Sequence, residues 1–166
     1  GWLYEGGIRE PMIVKWPGVV KAGGECSEPV TSTDFYPTML EMAGLALRAK
    51  QHVDGVSLVP LLKGRSGLGR KAIYWHYPHY HGSNNRPSAA VRAGDYKLIE
   101  WYETGQVELY NLRKDIGEKS DLASRMPEKA AELKRMLHEW LTETKATVPT
   151  VESLAEFRKQ SGRAKW

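Results

Sequence analysis

Four short β-prone runs constrain this sequence more than any other feature. The runs are Ala72–Tyr77, Ser88–Arg92, Tyr96–Tyr102 and Val107–Leu112. Gly94-Asp95 and Thr104-Gly105 separate the last three runs, and such turn pairs between β-prone segments are typical of hairpins. We therefore predict a four-stranded antiparallel sheet in which the last three strands form a meander.

A long helix is predicted after this sheet. Pro127 suits a first helical turn, because its missing N–H would have no helical partner there. Four apolar side chains then recur at i, i+4, i+7 and i+8: Leu133, Leu137, Trp140 and Leu141. This stripe, which extends to about Lys145, predicts a helix that covers one face of the sheet. Residues 147–166 have no strong period, and we expect a basic, solvated tail there.

The first part of the chain is rich in Gly and Pro. Pro11 and Pro17 bracket the apolar run Met12–Trp16, which predicts a short and largely buried strand. A helix is expected from about Asp34 to Gly44. Its apolar side chains recur at helical spacing, which predicts one buried face: Phe35, Met39, Leu40, Met42 and Ala43.

Composition excludes several classes of protein. A single cysteine, Cys26, cannot form an internal disulfide framework or a cysteine-based zinc site. No apolar run approaches the ~20 residues of a transmembrane helix, so no membrane partner is expected. Half of the net charge of +4 lies in the last twenty residues, and the rest is spread along the chain with both signs mixed. Nucleic-acid binders usually cluster their basic residues, so no nucleic-acid partner is expected either.

The segment Tyr74–His81 is the first candidate for a site, because it holds three histidines and four aromatic residues. His76, His79 and His81 could contact a polar or sugar-like ligand from a loop. They could also belong to a packed strand edge with a hydrogen-bonded histidine. A metal site would need the loop to fold back, and no carboxylate nearby completes a ligand set, so no metal site is predicted.

The string Tyr4-Glu5-Gly6-Gly7-Ile8-Arg9-Glu10-Pro11 is the second candidate. Two glycines between a carboxylate and an arginine let the backbone approach a neighbouring segment closely. Glu5 and Arg9 could pair with each other, which is the favoured interpretation of these two residues alone.

That string, followed by Trp16-Pro17-Gly18, resembles the C-terminal part of the sulfatases. Further landmarks follow in the family's order, including Asp34–Thr38, Asp54–Leu58, Gly94–Leu98 and Glu108–Leu112. The similarity covers about residues 1–145. The segment from Tyr74 to His79 is most similar to the arylsulfatase and N-acetylgalactosamine-6-sulfatase-like branch.

The resemblance implies an α/β fold of the alkaline-phosphatase-like sulfatase class. Residues 1–67 would then be the end of the large α/β domain. Residues 68–146 would be the smaller C-terminal domain, with its antiparallel sheet and long helix, and residues 147–166 a tail. The chain starts at Gly1 without a methionine, and we expect the catalytic half of a longer protein to precede it.

The resemblance also implies hydrolysis of sulfate esters. In sulfatases a cysteine in a Cys-x-Pro-Ser-Arg motif becomes formylglycine, whose hydrate attacks sulfur, and a calcium ion neutralises the sulfate. Cys26 lies in Glu-Cys-Ser-Glu and lacks that motif, so it is not the nucleophile. We therefore expect no catalytic residue and no bound calcium in this chain, which alone would be inactive. Calcium belongs to the intact parent enzyme. The resemblance leaves Glu5 and Arg9 as candidates for support of the active-site floor.

Two other interpretations stay open at this point. The chain could be a binding module for anions or sulfated glycans, or a purely structural module that self-associates through exposed apolar surface. In the parent enzyme the expected partners are a sulfated small molecule or glycan and the N-terminal catalytic portion. The family suggests a secreted, periplasmic or lysosomal protein, but the sequence itself gives no compartment.

Overall fold

The computed structural model describes residues 1–82 and 84–160, and the chain divides into two units. The first unit consists of Gly1–Glu10 and Lys71–Trp166, and the second of Pro11–Arg70. Among the described residues, no helix is both long and apolar enough to cross a membrane.

The first unit is built on the predicted antiparallel sheet. Its four strands are β1 (Ile73–Tyr77), β2 (Ser88–Ala93), β3 (Tyr96–Trp101) and β4 (Val107–Asn111). They lie in the order β1-β2-β3-β4, and every pair is antiparallel. Gly94 and Gly105 adopt positive φ angles of 57° and 66° in the connecting turns, where a Cβ would be strained. The prediction of a four-stranded antiparallel sheet is confirmed.

One face of this sheet is covered by helix α4 (Pro127–Glu143). Leu133 and Leu137 are fully buried against β2, β3 and β4, next to Leu98 and Leu109. Burial of each leucine contributes about 1.5–3 kcal/mol before its entropy cost. The apolar stripe read from the sequence therefore faces the sheet, as predicted.

A second helix, α5 (Val151–Gln160), follows where the sequence predicts an aperiodic tail. Leu154 is buried in the same core, and the ring of Phe157 stacks on Tyr80 with centroids 5.6 Å apart. These two side chains lie three residues apart, which places them on one side of the helix. A single apolar pair is too short a pattern to predict a helix, and here packing supplies the missing stabilisation.

The other face of the sheet carries a smaller core made with the N-terminal segment. Ile99 and Trp101 alternate onto this face of β3, and Leu3 packs against them. Trp2 and Tyr4 add ring contacts to Trp101, each with centroids 6.0 Å apart. Residues 2–8, which include the short helix α1 (Glu5–Ile8), are thus part of the sheet unit.

The second unit contains a 3₁₀ turn (Ser32–Asp34) and the helices α2 (Phe35–Met42) and α3 (Val59–Leu62). The prediction of a strand at Met12–Trp16 is wrong, because this run has no regular secondary structure and Ile13 is 95% exposed. A strand needs a hydrogen-bonded neighbour, and the four-stranded sheet does not include this run.

The prediction of a buried apolar face on α2 is also wrong. Phe35 and Met39 are exposed, whereas Asp34 and Thr38 are buried. The reason is hydrogen bonding: the Thr38 hydroxyl donates to the carbonyl of Asp34 and accepts the amide of Leu58 at 2.8 Å. Polar groups that satisfy buried backbone amides are retained inside a fold, and hydrophobic periodicity does not reveal them.

Candidate functional site

The turn Glu5-Gly6-Gly7 owes its shape to a close approach of two backbone segments. The amide of Gly7 donates to the carbonyl of Tyr4 at 2.8 Å, and the amide of Arg9 donates to the carbonyl of Glu5. A Cβ on Gly7 would lie 2.1 Å from the carbonyl oxygen of Trp2, which no side chain permits. Gly6 has open space at the same position. The second glycine is therefore required by packing.

The Glu5 side chain is buried in a group of five charged residues, which we call the Glu5 cluster: Glu5, Arg9, Arg92, Lys97 and Glu118. Its Oε1 lies 3.0 Å from the Nζ of Lys97, and its Oε2 lies 3.5 Å from Arg9. Glu118 closes the cluster, since its Oε1 lies 2.8 Å from the same Nζ as an ion pair. Its other oxygen accepts the backbone amide of Glu5 at 2.5 Å.

Strand register explains why two carboxylates gather here. Arg92 of β2 lies directly opposite Lys97 of β3, so two cations share one face of the sheet. Like charges in such a pair destabilise a sheet unless anions offset them. The Glu5 carboxylate lies near both, with its Oε2 3.9 Å from Arg92. Arg9 and Glu5 thus pair with each other as the sequence allows, within a larger network.

A second carboxylate binds the aromatic residues of the N-terminal segment. Glu108 accepts the hydroxyls of Tyr4 and Tyr110 and the indole N–H of Trp101, at 2.7–2.9 Å. Burial and then the neighbouring Glu108 carboxylate raise the pKa of both tyrosines well above the usual value, so their hydroxyls stay protonated donors. Arg86 stacks over Trp101 at 4.3 Å from the ring centroid.

His76, the first of the three candidate histidines, uses both ring nitrogens inside the domain. Its Nε2 lies 3.2 Å from the carbonyl of Thr147 and donates to it, so Nδ1 accepts the hydroxyl of Tyr102 at 2.7 Å. Burial lowers the pKa of His76, although the bond to Thr147 opposes the shift. This geometry corresponds to the hydrogen-bonded strand histidine that the sequence left open.

The other two histidines lie in the exposed loop after β1. His79 packs against Tyr77 with ring centroids 5.6 Å apart and perpendicular planes. His81 is exposed, and its amide and carbonyl make backbone hydrogen bonds to Asn85 and Asn84. The structure thus places two of the three candidates on an accessible loop. Their predicted contact with substrate stays a prediction.

Sequence reasoning missed Lys97, Glu118 and Glu108 as members of these networks. Lys97 lies on the same face of β3 as Ile99 and Trp101, and no local pattern indicates that its charged group is fully buried. The carboxylates of Glu5 and Glu118, at 3.0 and 2.8 Å from its Nζ, account for that burial. Glu118 follows Gly117 in a turn and has a φ of 52°, a conformation that few non-glycine residues adopt.

A calcium ion has no ligand set in the described part of the chain. Within residues 1–82 and 84–160, no three His, Cys, Asp or Glu side chains lie close enough together to hold a metal ion. The two carboxylates of the Glu5 cluster are already paired with Lys97. Cys26 is exposed in the second unit. The residues present therefore do not fit the metal that the family resemblance implies.

The sheet, helix α4 and the folded-back N-terminal segment define the C-terminal region of an alkaline-phosphatase-like sulfatase, and comparison with known proteins gives the same class. The family model described as N-sulphoglucosamine sulphohydrolase, C-terminal, matches residues 1–147. The chain belongs to this sulfatase family.

Individual relatives agree with this assignment. A sulfatase of Formosa agariphila is 35% identical over 161 residues, which cover 88% of this chain and 29% of the relative. An N-acetylglucosamine-6-O-sulfatase of Bacteroides thetaiotaomicron is 29% identical over 170 residues, 95% of this chain and 30% of the relative. The chain thus spans about 30% of the length of each of these two relatives.

A similar solved structure is that of a protein in complex with its substrate D-glucosamine-2-N,6-O-disulfate. It has a TM-score of 0.69 and 29% identity, over 82% of this chain and 29% of that one. A 2-O glycosaminoglycan sulfatase has a TM-score of 0.58 and 27% identity, over 70% of this chain and 27% of that chain. The predicted fold class is confirmed.

Proposed function

We propose that this chain is the C-terminal part of an enzyme that hydrolyses sulfate esters of sugars or aryl compounds. The match to the sulfatase C-terminal family over residues 1–147 carries the proposal. The nucleophile, a formylglycine, and a calcium ion that neutralises the sulfate would lie in the part of the enzyme outside this chain. On its own the chain would be inactive.

The loop of His79 and His81 would form part of the rim of the substrate pocket. Its exposure and its aromatic neighbour Tyr77 support this role, since ligand contacts are commonly carried by loops on a rigid scaffold. The relative bound to a sulfated glucosamine supports a sugar sulfate as the substrate. Glu5 and Arg9 would support the active-site floor through the Gly6-Gly7 turn.

The test uses the full-length polypeptide that carries this chain, purified with calcium. We expect it to release sulfate from glucosamine 6-sulfate and from 4-nitrophenyl sulfate. The isolated chain should release none, and turnover at an ordinary enzymatic rate by the isolated chain would contradict the assignment of the chemistry to the other part.

The loop is tested separately by a double substitution, His79→Ala with His81→Ala. Loss of two polar contacts to the sugar should raise KM for glucosamine 6-sulfate roughly tenfold. KM for 4-nitrophenyl sulfate, which has no sugar, should not change. His138→Ala on α4 is the matched control, because that histidine is exposed and pairs with Glu100. Equal effects on KM for both substrates would contradict the assignment of this loop to the rim of the substrate pocket.

A second candidate function is binding of sulfated glycans without catalysis, which the same exposed loop favours. The isolated chain would then bind a heparin-derived oligosaccharide saturably, and the affinity would fall as salt screens the charges. Unchanged binding in the His79→Ala/His81→Ala variant would exclude this loop as the binding surface.

A further inference from the structure

Lys97 is the most completely buried charged residue of the sheet unit that the structure describes, and two carboxylates hold it. Its side chain has no exposed surface, and its Nζ lies 3.0 Å from Glu5 and 2.8 Å from Glu118. Glu118 also accepts the backbone amide of Glu5. The three residues therefore form a closed ring that joins strand β3, the turn after β4 and the first residue of α1.

The ring fixes Glu5 at two separate points. Lys97 binds its carboxylate, and Glu118 binds its backbone amide, so neither the side chain nor the main chain can shift alone. An ion buried without a partner is strongly destabilising, which makes each member of the ring dependent on the others. Rotation of the Glu5-Gly6-Gly7 turn would break both contacts together.

The backbone conformation of Glu118 is a second observation that points to the importance of this contact. Its φ of 52° lies in the left-handed region, where glycine or asparagine is the usual residue. A glutamate there carries backbone strain. Its carboxylate offsets that strain, since its side chain is 3% exposed and meets both Lys97 and the Glu5 amide.

We propose that Lys97 and Glu118 are positioning residues of the sulfatase reaction, which act by fixing the Glu5-Gly6-Gly7 turn against the sheet. This inference rests on the proposed function, in which that turn supports the active-site floor. Neither residue contacts substrate in this account. They fix the position of Glu5, and Glu5 in turn fixes the backbone of the residues on either side of it in the N-terminal segment.

The first measurement is hydrogen exchange in the chain itself. The amides of Gly7 and Arg9 report on the turn, because they donate to the carbonyls of Tyr4 and Glu5. Lys97→Met alone would leave the carboxylates of Glu5 and Glu118 without the cation between them, which can prevent folding. The variant Lys97→Met/Glu118→Gln is therefore made as well, because it removes one positive and one negative charge. We expect both amides to exchange at least ~10-fold faster in this double variant, while the amides of α4 keep their protection.

Lys134→Met is the matched control. Lys134 also pairs with a buried glutamate, Glu100 at 2.9 Å, but it lies on helix α4, which covers the other face of the sheet. It should leave the exchange of Gly7 and Arg9 unchanged. Lys97→Arg keeps the charge and should restore most of the protection. Normal exchange of both amides in the folded double variant would overturn the inference.

The second measurement is kinetics in the full-length polypeptide. The double variant should lower kcat on 4-nitrophenyl sulfate by ~10- to 100-fold, because a displacement of about 1 Å near reacting groups has effects of this size. KM should change less than ~3-fold, and Lys97→Arg should recover kcat. If the unmodified polypeptide hydrolyses no sulfate ester, the proposed function fails, and if the double variant has a normal kcat, the positioning role alone fails.

Discussion

The two adjacent glycines of the N-terminal turn should respond in opposite ways to the same substitution. Gly7→Ala would place a Cβ 2.1 Å from the carbonyl oxygen of Trp2 and 3.0 Å from its carbonyl carbon and amide nitrogen. An ordinary contact requires the two backbone segments to separate by roughly 1 Å. Strain of this kind costs about 1–3 kcal/mol or more, so Gly7→Ala should destabilise the sheet unit by at least that range.

Gly6→Ala is the internal control, because no atom lies within 4 Å of the Cβ it would add. Gly6 lies inside α1 with an ordinary backbone conformation, where alanine is favoured over glycine by about 0.5–1 kcal/mol. The variant should therefore be as stable as the unmodified chain or slightly more stable.

The assay measures the free energy of unfolding in urea. Hydrogen exchange of the β3 amides is the first signal, because these amides report on opening of the sheet unit. Tryptophan fluorescence gives a second signal, since Trp2 and Trp101 lie in ring contact beside the turn. We expect a difference of at least ~2 kcal/mol between the two alanine variants. Equal stabilities, or a Gly7→Ala variant within ~0.5 kcal/mol of the unmodified chain, would refute the claim that packing on Trp2 requires this glycine.

Three further predictions concern the remaining parts of the fold. Leu137→Ala should cost about 2–5 kcal/mol in urea denaturation, because the side chain is fully buried under the sheet, and a loss below ~1 kcal/mol would contradict its place in the core. Asp34→Ala should cost about 3–5 kcal/mol in the second unit, because it leaves Arg70 and two backbone amides without their acceptor, and calorimetry should show that unit melting earlier with the sheet unit unchanged. The lowered pKa of His76 means that the folded chain binds this proton less readily than the unfolded chain, so stability should fall as the pH drops below about 6.5. In the His76→Gln variant, the free energy of unfolding should fall less between pH 7.5 and pH 5 than in the unmodified chain. An unchanged dependence of that free energy on pH would show that other groups cause the loss.

Much of the sheet unit could be predicted because its signals are local. Alternation and turn residues identify the strands, and the leucine spacing of α4 identifies its buried face, without knowledge of any distant contact. The sequence could not predict that Lys97 is buried, because its partner Glu5 lies 92 positions earlier. The errors in the second unit have a related cause, since the buried carboxylate of Asp34 binds amides that periodicity does not register.

The candidate site could be predicted only as a list of residues. His79 and His81 are exposed on the loop after β1, whereas His76 lies within the strand and its ring binds the hydroxyl of Tyr102. The pairing of Glu5 and Arg9 follows from their spacing, whereas the position of both is set by the sheet. The order of landmarks along the chain carried more functional information than the chemistry of any one residue.

The N-terminal turn is held from two sides by groups that come much later in the chain. Glu108 binds the Tyr4 hydroxyl from 104 positions away, and Glu118 binds the Glu5 amide from 113 positions away. Both contacts join a neutral donor, a hydroxyl or a backbone N–H, to a glutamate carboxylate, so removal of either carboxylate should loosen the turn. A substitution in β3, or in the turn after β4, therefore acts on contacts of the Gly6-Gly7 turn from a distant part of the sequence. In the proposed enzyme, we expect such a substitution to change catalysis through this turn and not through the loop of His79 and His81.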